Sequence, residues 1–341
     1  MAKFEMLTAR ALRSGPILIA LLLLGACASV PAGRAPADKP AAPATASIAP
    51  PVEALPPAAP PLVAPPVAAP PPRALRIGLA LGGGAARGFA HVGVIMALEA
   101  RGIHPDIVVG TSVGSFVAAL YAAGYGGPEL RRVAMQFDES SITDWSLPAR
   151  GLFKGQALQD FVNREVHQRP IEQLPRKLAI VATDLGSGEM MVFERGNVGM
   201  AVRASSSVPG FFQPVGINGH EYVDGGLVSP VPVRTARRLG ADVVIAVDLS
   251  KKPSAQSTLG TFDILMQTFT IMGQVIAQTE LPAADIVLKP SLGATGSTDF
   301  TTRESSMREG EQAVAAQAGA IAEALNRARL ALEPPAALAN P

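Results

Sequence analysis

With one cysteine in 341 residues, Cys27, the chain can close no disulfide within itself. Its four histidines (His91, His104, His167 and His220) stand far apart, so no thiolate or imidazole metal cage is expected and no cofactor is implied. Aromatic residues make up 5% of the chain and the formal net charge is +1. That leaves neither the stacking surfaces nor the basic surplus that nucleic acid requires. A long hydrophobic run is missing too: the apolar stretch 17–24 falls short of the roughly 20 residues that span a bilayer. Glycine (33) and proline (31) are abundant but unevenly spread, and that unevenness divides the chain.

Lys3, Arg10 and Arg13 precede the 17–24 stretch, and Gly25, Ala26 and Cys27 follow it. A basic start, a short apolar run and small residues read as an export signal over 1–26. Leu24-Gly25-Ala26-Cys27 resembles the lipobox of bacterial lipoproteins. The resemblance implies cleavage before Cys27 and lipidation of its sulfur and new amino group. With Ala28 next, and no retention-type aspartate, it also implies the outer membrane, facing the periplasm. Several acyl chains anchor stably where one is marginal, since each buried CH₂ adds about 0.8 kcal/mol.

Residues 27–72 are nearly all proline and alanine after the cysteine, with no aromatic. Such a segment buries too little apolar surface to offset its ordering entropy and is expected to stay an unfolded tether, extended at about 3.1 Å per residue where proline dominates. The composition changes at Arg73, and one folded domain is expected over 73–333, with a frayed 334–341 tail.

Within that domain residues 75–81 read as a buried strand running into Gly82-Gly83-Gly84. Val92, Ile95, Met96 and Leu98 give 88–101 a helical period, stopped by Gly102. Strands are predicted at 106–109, 178–183, 190–194 and 242–248, with a hairpin turn at Asn218-Gly219. Helices are predicted at 112–123, 198–205, 232–239, 262–279 and 307–332. Alternating strands and helices imply an α/β fold, a mostly parallel central sheet covered by helices on both faces.

Three glycine-punctuated turns could carry chemistry. In Gly110-Thr111-Ser112-Val113-Gly114 the serine stands where a strand stops and a helix starts, which exposes a nucleophile on a sharp turn. The flanking glycines permit the backbone path and close approach of substrate. Gly82 to Gly88 again joins strand to helix, and its unobstructed N–H groups suit an oxyanion. A nucleotide phosphate loop is the rival reading, but neither Gly-x-x-x-x-Gly-Lys-Ser/Thr nor Gly-x-Gly-x-x-Gly with its acidic partner is present. Asp224-Gly225-Gly226 follows the hairpin, where a carboxylate can approach another turn or simply cap its own.

Taken together and in this order, Gly-Gly-Gly-x-x-Arg-Gly, Gly-x-Ser-x-Gly and Asp-Gly-Gly resemble the patatin-like phospholipases. The block Ala204-Ser205-Ser206-Ser207-Val208-Pro209-Gly210-Phe211-Phe212-Gln213-Pro214-Val215 is similar to that family's Ala-Ser…Pro segment. The resemblance covers residues 75–290 or so. It implies a patatin-like fold and a serine acyl hydrolase acting on phospholipid or lysophospholipid esters. Ser112 is then the nucleophile and Asp224 the base. The Gly82, Gly83 and Gly84 backbone forms the oxyanion hole, with a further donor from the Val113 N–H. Arg87 is carried over as a loop-ordering or anion-facing residue, and Gly110, Gly114, Gly225 and Gly226 as supports.

In that mechanism Asp224 takes the Ser112 proton as the oxygen attacks an ester carbonyl, and water later cleaves the acyl-enzyme. An unperturbed aspartate titrates near 3.9, a poor match to neutral pH, and burial beside Ser112 raises it. The chain order also permits a Ser112–Asp184–His220 triad. Acyl transfer to another alcohol, and a silent envelope scaffold, stand beside hydrolysis as alternatives. His91 and His104 are read as helix-face and loop residues. Trp145 is read first as packing and second as an interface residue. The Met-bearing 262–279 helix is read as core or acyl-groove lining rather than a membrane span.

Overall fold

The structure, a computed structural model, describes residues 73–142, 144–146, 150–251, 260–293 and 300–333. These fall within a unit spanning 66–341. The expected export signal (1–26), Cys27, the tether to 72 and the tail 334–341 lie outside the described residues.

In chain order the elements are β1 (Ile77–Leu81), α1 (Phe89–Glu99), β2 (Ile107–Thr111), α2 (Val113–Ala122), α3 (Gly127–Gln136), α4 (Gln156–Glu165), β3 (Lys177–Asp184), β4 (Met190–Phe193), α5 (Val198–Ser205), β5 (Val215–Ile217), β6 (His220–Asp224), α6 (Val233–Arg238), β7 (Val243–Val247), α7 (Thr261–Glu280), β8 (Ile286–Leu288), α8 (Arg303–Ala316) and α9 (Ala318–Leu332). The strands form one sheet in the order β5-β6-β3-β2-β1-β7-β8, with β4 also on β3. β3, β2, β1, β7 and β8 run parallel, while β4, β5 and β6 pair antiparallel. Strands such as Ile77–Leu81 and Val243–Val247 are buried on both faces, which is why they read as apolar runs rather than alternations.

Side chains still sort by alternation. Leu79, Leu81, Val108, Ile180 and Ile245 join one core with residues of α1, α2, α5, α8 and α9. Ala80, Val109, Val181 and Ala246 join another with Val233 and Ala236 of α6 and Ala277 of α7. The expected mostly parallel sheet with helices on both faces is therefore what forms. On the first face α1 and α8 cross at backbone distance. A Cβ on Gly93 would lie 1.8 Å from the Met307 carbonyl oxygen, and one on Gly310 2.1 Å from that of Ala90.

One pairing positions the chemistry. β2 ends with Thr111 opposite Val181 of β3, and β6 ends with Asp224 opposite Ala182, the next residue. Val181 and Ala182 also pair with Val192 and Met191 of β4, which therefore occupies the other edge of β3. β2 and β6 thus share one edge of β3, arriving from opposite directions and stopping end to end. Residues 112 and 224 meet at that junction.

Some elements differ from expectation. The 307–332 helix is two helices broken at Gln317, where φ is −111° and ψ 14°. α3, α4 and β8 were not foreseen. α3 carried a start signal, Pro128 with Glu129, whose carboxylate accepts the Gly126 N–H at 2.7 Å. The hairpin does turn at Asn218-Gly219, both with positive φ (52° and 85°).

Candidate active site

Ser112 sits between the end of β2 and the first residue of α2 with φ 54° and ψ −127°. A non-glycine residue held there costs about 1–3 kcal/mol, so surrounding bonds must over-determine it. They do so from both sides. The Ser112 carbonyl accepts the Ser115 N–H at 2.8 Å and the Ser115 hydroxyl at 2.6 Å. The Ser112 N–H donates to Ser205 Oγ at 2.8 Å, and that hydroxyl donates to the Val181 carbonyl at 2.5 Å.

The glycines flanking Ser112 have a packing role. A Cβ on Gly114 would lie 2.1 Å from the Leu81 carbonyl oxygen, and one on Gly110 2.4 Å from that of Gly114. They let α2 press against the ends of β1 and β2, backbone against backbone. Gly88 similarly makes room for Val113: a Cβ there would lie 2.3 Å from Val113 Cγ2.

Asp224 is 1% exposed and fixed at three points. Its N–H donates to the Ser207 carbonyl at 3.0 Å, its carbonyl accepts Thr183 Oγ1–H at 2.8 Å, and Oδ1 accepts the Gly226 N–H at 2.7 Å. Oδ2 is buried with no hydrogen bond of full geometry. Burial pushes the carboxyl up to about 6, while the nearby Ser112 hydroxyl and the Gly226 N–H pull it back. A neighbouring hydroxyl that lowers the pKa without a formed bond is in loose approach, as catalytic pairs often are before substrate tightens them. Gly225 fits because a Cβ there would lie 2.3 Å from the Val181 carbonyl oxygen.

The glycine loop comes to the same place. A Cβ on Gly83 would lie 3.4 Å from the Ser112 Cβ. Its donors are fewer than expected, however. The Gly82 N–H is spent on the Val247 carbonyl at 3.1 Å and the Gly83 N–H on that of Pro230 at 3.0 Å. Gly84 and Val113 make no such bond among the described residues, so these two amides remain as candidate oxyanion donors. Gly82 is a packing glycine: a Cβ there would meet the Val247 oxygen at 2.9 Å. Arg87 Nε donates to the Gly84 carbonyl at 3.2 Å, the loop-ordering role, and burial lowers the guanidinium pKa.

His91 is more than a helix-face residue. It is fully buried, its Nε2 lies 2.8 Å from the Gly82 carbonyl, and burial pushes it down to about 4. It is therefore neutral at pH 7, with Nε2–H donating to the loop. His220 and Asp184 do pair, at 2.7 Å. Asp184 also accepts the Gly186 and Ser187 N–H groups at 2.8 and 3.0 Å, which caps the turn between β3 and β4. His220 begins β6 while Asp224 ends it, about 13 Å away at strand rise, and its side chain is 62% exposed. The alternative triad is not assembled at Ser112. Trp145 is 72% exposed, against the packing reading, although its ring lies 4.8 Å from that of Phe153.

If Asp224 is the base it must be ionised to accept a proton. With its pKa raised to about 6, kcat/KM is expected to climb tenfold per pH unit below 6 and level off above about 7. A profile whose acid limb lies near pH 4 would remove Asp224 from that role.

Residues 79–237 match the family model described as patatin-like phospholipase. This is the family that the motifs resembled, over a shorter span than the motifs suggested. An uncharacterized NTE family protein of Mycobacterium tuberculosis is 38% identical over 178 residues, 51% of this chain and 49% of the relative. Patatin-like phospholipase domain-containing protein 6 of Homo sapiens is 35% identical over 193 residues, 54% of this chain and 14% of the relative. The chain thus spans about half the length of the mycobacterial relative and far less of the human one. Among solved structures, VipD from Legionella pneumophila aligns with a TM-score of 0.46 and 13% identity, covering 74% of this chain and 67% of that one.

Proposed function

We propose that the chain is a serine acyl hydrolase that cleaves fatty acyl esters of phospholipids or lysophospholipids, a reading supported by the match of residues 79–237 to the patatin-like phospholipase family model. The observation that carries this reading is a buried carboxylate with one unpartnered oxygen beside a serine held in a strained strand-to-helix turn. Asp224 accepts the Ser112 proton, the serine oxygen attacks the ester carbonyl, and the alcohol leaves with that proton, which returns Asp224 to its carboxylate form. Water activated by the same carboxylate then releases the fatty acid. The Gly84 and Val113 N–H groups supply charge stabilisation, with the α2 N-terminus adding its dipole.

The α7 helix supports the lipid side of this reading. Residues 264–279 carry no charged side chain, and Ile264, Leu265, Ile271, Met272 and Val275 are each 45% exposed or more. Among the described residues no helix is long and apolar enough to cross a membrane. The inner face of α7 touches the Asp turn: a Cβ on Gly226 would lie 3.1 Å from Phe269 Cζ. An aromatic side chain against the Asp turn and an exposed apolar face on the same helix suit acyl chains better than a charged substrate.

The same reading places the chain in the bacterial envelope, held by lipid on Cys27 and facing the periplasm. Its support is the 17–27 sequence alone. Free fatty acid release from phospholipid vesicles by the full chain, absent with Ser112→Ala, tests the chemistry. Cys27→Ser is expected to move the chain from the membrane to the soluble fraction on cell fractionation, and retention at the membrane would end the anchor.

A further inference from the structure

Two residues between the Asp turn and α6 tie the separate parts of the site together. The Ser229 carbonyl accepts Thr111 Oγ1–H at 2.8 Å, immediately before the nucleophile. The Pro230 carbonyl accepts the Gly83 N–H at 3.0 Å, and the Ser229 N–H donates to the Gly225 carbonyl at 2.9 Å. Elbow, glycine loop and Asp turn converge on this segment, which the catalytic scheme itself does not use.

The Ser229 side chain has its own anchor, and it comes from far along the chain. Ser229 Oγ lies 2.9 and 2.8 Å from the two carboxyl oxygens of Glu280, at the last residue of α7. Ser229 is fully buried and Glu280 is 6% exposed. Placing a carboxyl there is costly, and desolvation pushes it up to about 7. The groups that oppose this are the Ser229 hydroxyl, the Arg234 guanidinium of α6 and the Val231 N–H. Arg234 Nη2 itself donates to the Thr279 carbonyl at 2.8 Å, so the end of α7 is clamped on both sides. A glutamate merely filling space would be replaced by an apolar residue at lower cost.

We propose that Glu280 is a positioning residue for the hydrolysis, gripping Ser229 so that the Ser112 elbow, the Gly83–Gly84 loop and the Asp224 turn keep their mutual spacing. It touches neither dyad nor substrate, and the inference rests on the hydrolase reading above. A group that sets spacing without binding substrate acts on kcat and leaves KM alone.

The experiment compares native full-length chain with Glu280→Ala, Glu280→Gln, Ser229→Ala and the double Glu280→Ala/Ser229→Ala on a dissolved short-chain ester. Thermal unfolding confirms that each is folded at the assay temperature. Glu280→Ala and Ser229→Ala are each expected to lower kcat about 10- to 100-fold with KM within about twofold. The double variant should be no worse than either single, because both remove one grip. Glu280→Gln keeps an acceptor for Ser229 and should stay within about threefold. That rescue, together with a kcat loss at unchanged KM in the alanine variants, is a readout that a purely structural role would not give. If Glu280→Ala does not fold, the kcat-against-KM split of Ser229→Ala decides alone. An active native chain whose variants lose thermal stability but keep kcat, or whose single losses multiply, overturns the inference and leaves the hydrolase reading standing. A native chain that is inert and takes no fluorophosphonate at Ser112 overturns both.

Discussion

Ser112→Ala is expected to lower ester hydrolysis by four orders of magnitude or so, and Asp224→Asn by about three or more, whereas His220→Ala stays within about threefold of native. The ordering follows from where the residues stand. Thr111, immediately before Ser112, and Asp224 close the same edge of β3 from opposite directions, opposite Val181 and Ala182. His220 lies at the start of β6, paired with Asp184 on the surface. Initial rates on a dissolved ester, with fluorophosphonate labelling to report the serine, measure all three. Loss of several orders of magnitude in His220→Ala would restore the triad. Near-native rates in Asp224→Asn would leave the serine without its base.

The same Asp224→Asn chain carries a stability signature. The folded carboxyl titrates near 6, above its unfolded value of 3.8, so the fold favours the protonated form. That contribution is complete below pH 3.8 and is lost as the pH rises through 6, at a cost of about 3 kcal/mol for the ionised group. Asparagine has no such charge to bury. The variant is therefore expected to unfold at higher temperature than the native chain at pH 8, with the gap closing toward pH 4.

Gly114→Ala is expected to destabilise the domain by about 4 kcal/mol or more, a large part of the roughly 5–15 kcal/mol that holds a typical domain folded. The added methyl would lie 2.1 Å from the Leu81 carbonyl oxygen, 2.6 Å from its carbon and 2.7 Å from the Gly82 oxygen. All three are backbone atoms at the end of β1, with no flexible side chain to yield. Gly216→Ala is the control: nothing lies within 4 Å of a Cβ there, and its effect should stay within about 0.5 kcal/mol. Soluble yield and thermal unfolding of the pair measure the difference. Equal stability of the two variants would mean that α2 can back away from β1.

The three turns were legible because each ends a strand and is marked by glycine, a local signal that needs no partner. Their meeting was not legible from spacing, since it depends on which edge of β3 receives β6. Other parts were hidden for similar reasons. Ser205 read only as a member of a family block, yet its hydroxyl bridges the Ser112 N–H and the Val181 carbonyl across 93 residues of chain. Gly82 and Gly83 look like free amides in sequence, and only β7 and the segment before α6 reveal that their N–H groups are taken. His91 sits among apolar residues at helical spacing, which gives no hint of the Gly82 carbonyl behind it. α7 shows uncharged, apolar residues in sequence, and the structure divides them between an inner face on the Asp turn and an outer face in solvent.

β7 lies inside the sheet, hydrogen-bonded to β1 along Ile77–Leu81 on one edge and to β8 on the other. The match to the family model ends at residue 237, before β7 begins. An expression fragment cut to that span would strip the partner from β1, bare its ladder of amides and carbonyls, and uncover the apolar side chains packed there. Such an edge recruits other chains, so the shortened fragment would aggregate rather than report on the enzyme. Cloning limits for this protein should therefore be drawn from hydrogen-bonded neighbours, carrying the insert past α9 at residue 332.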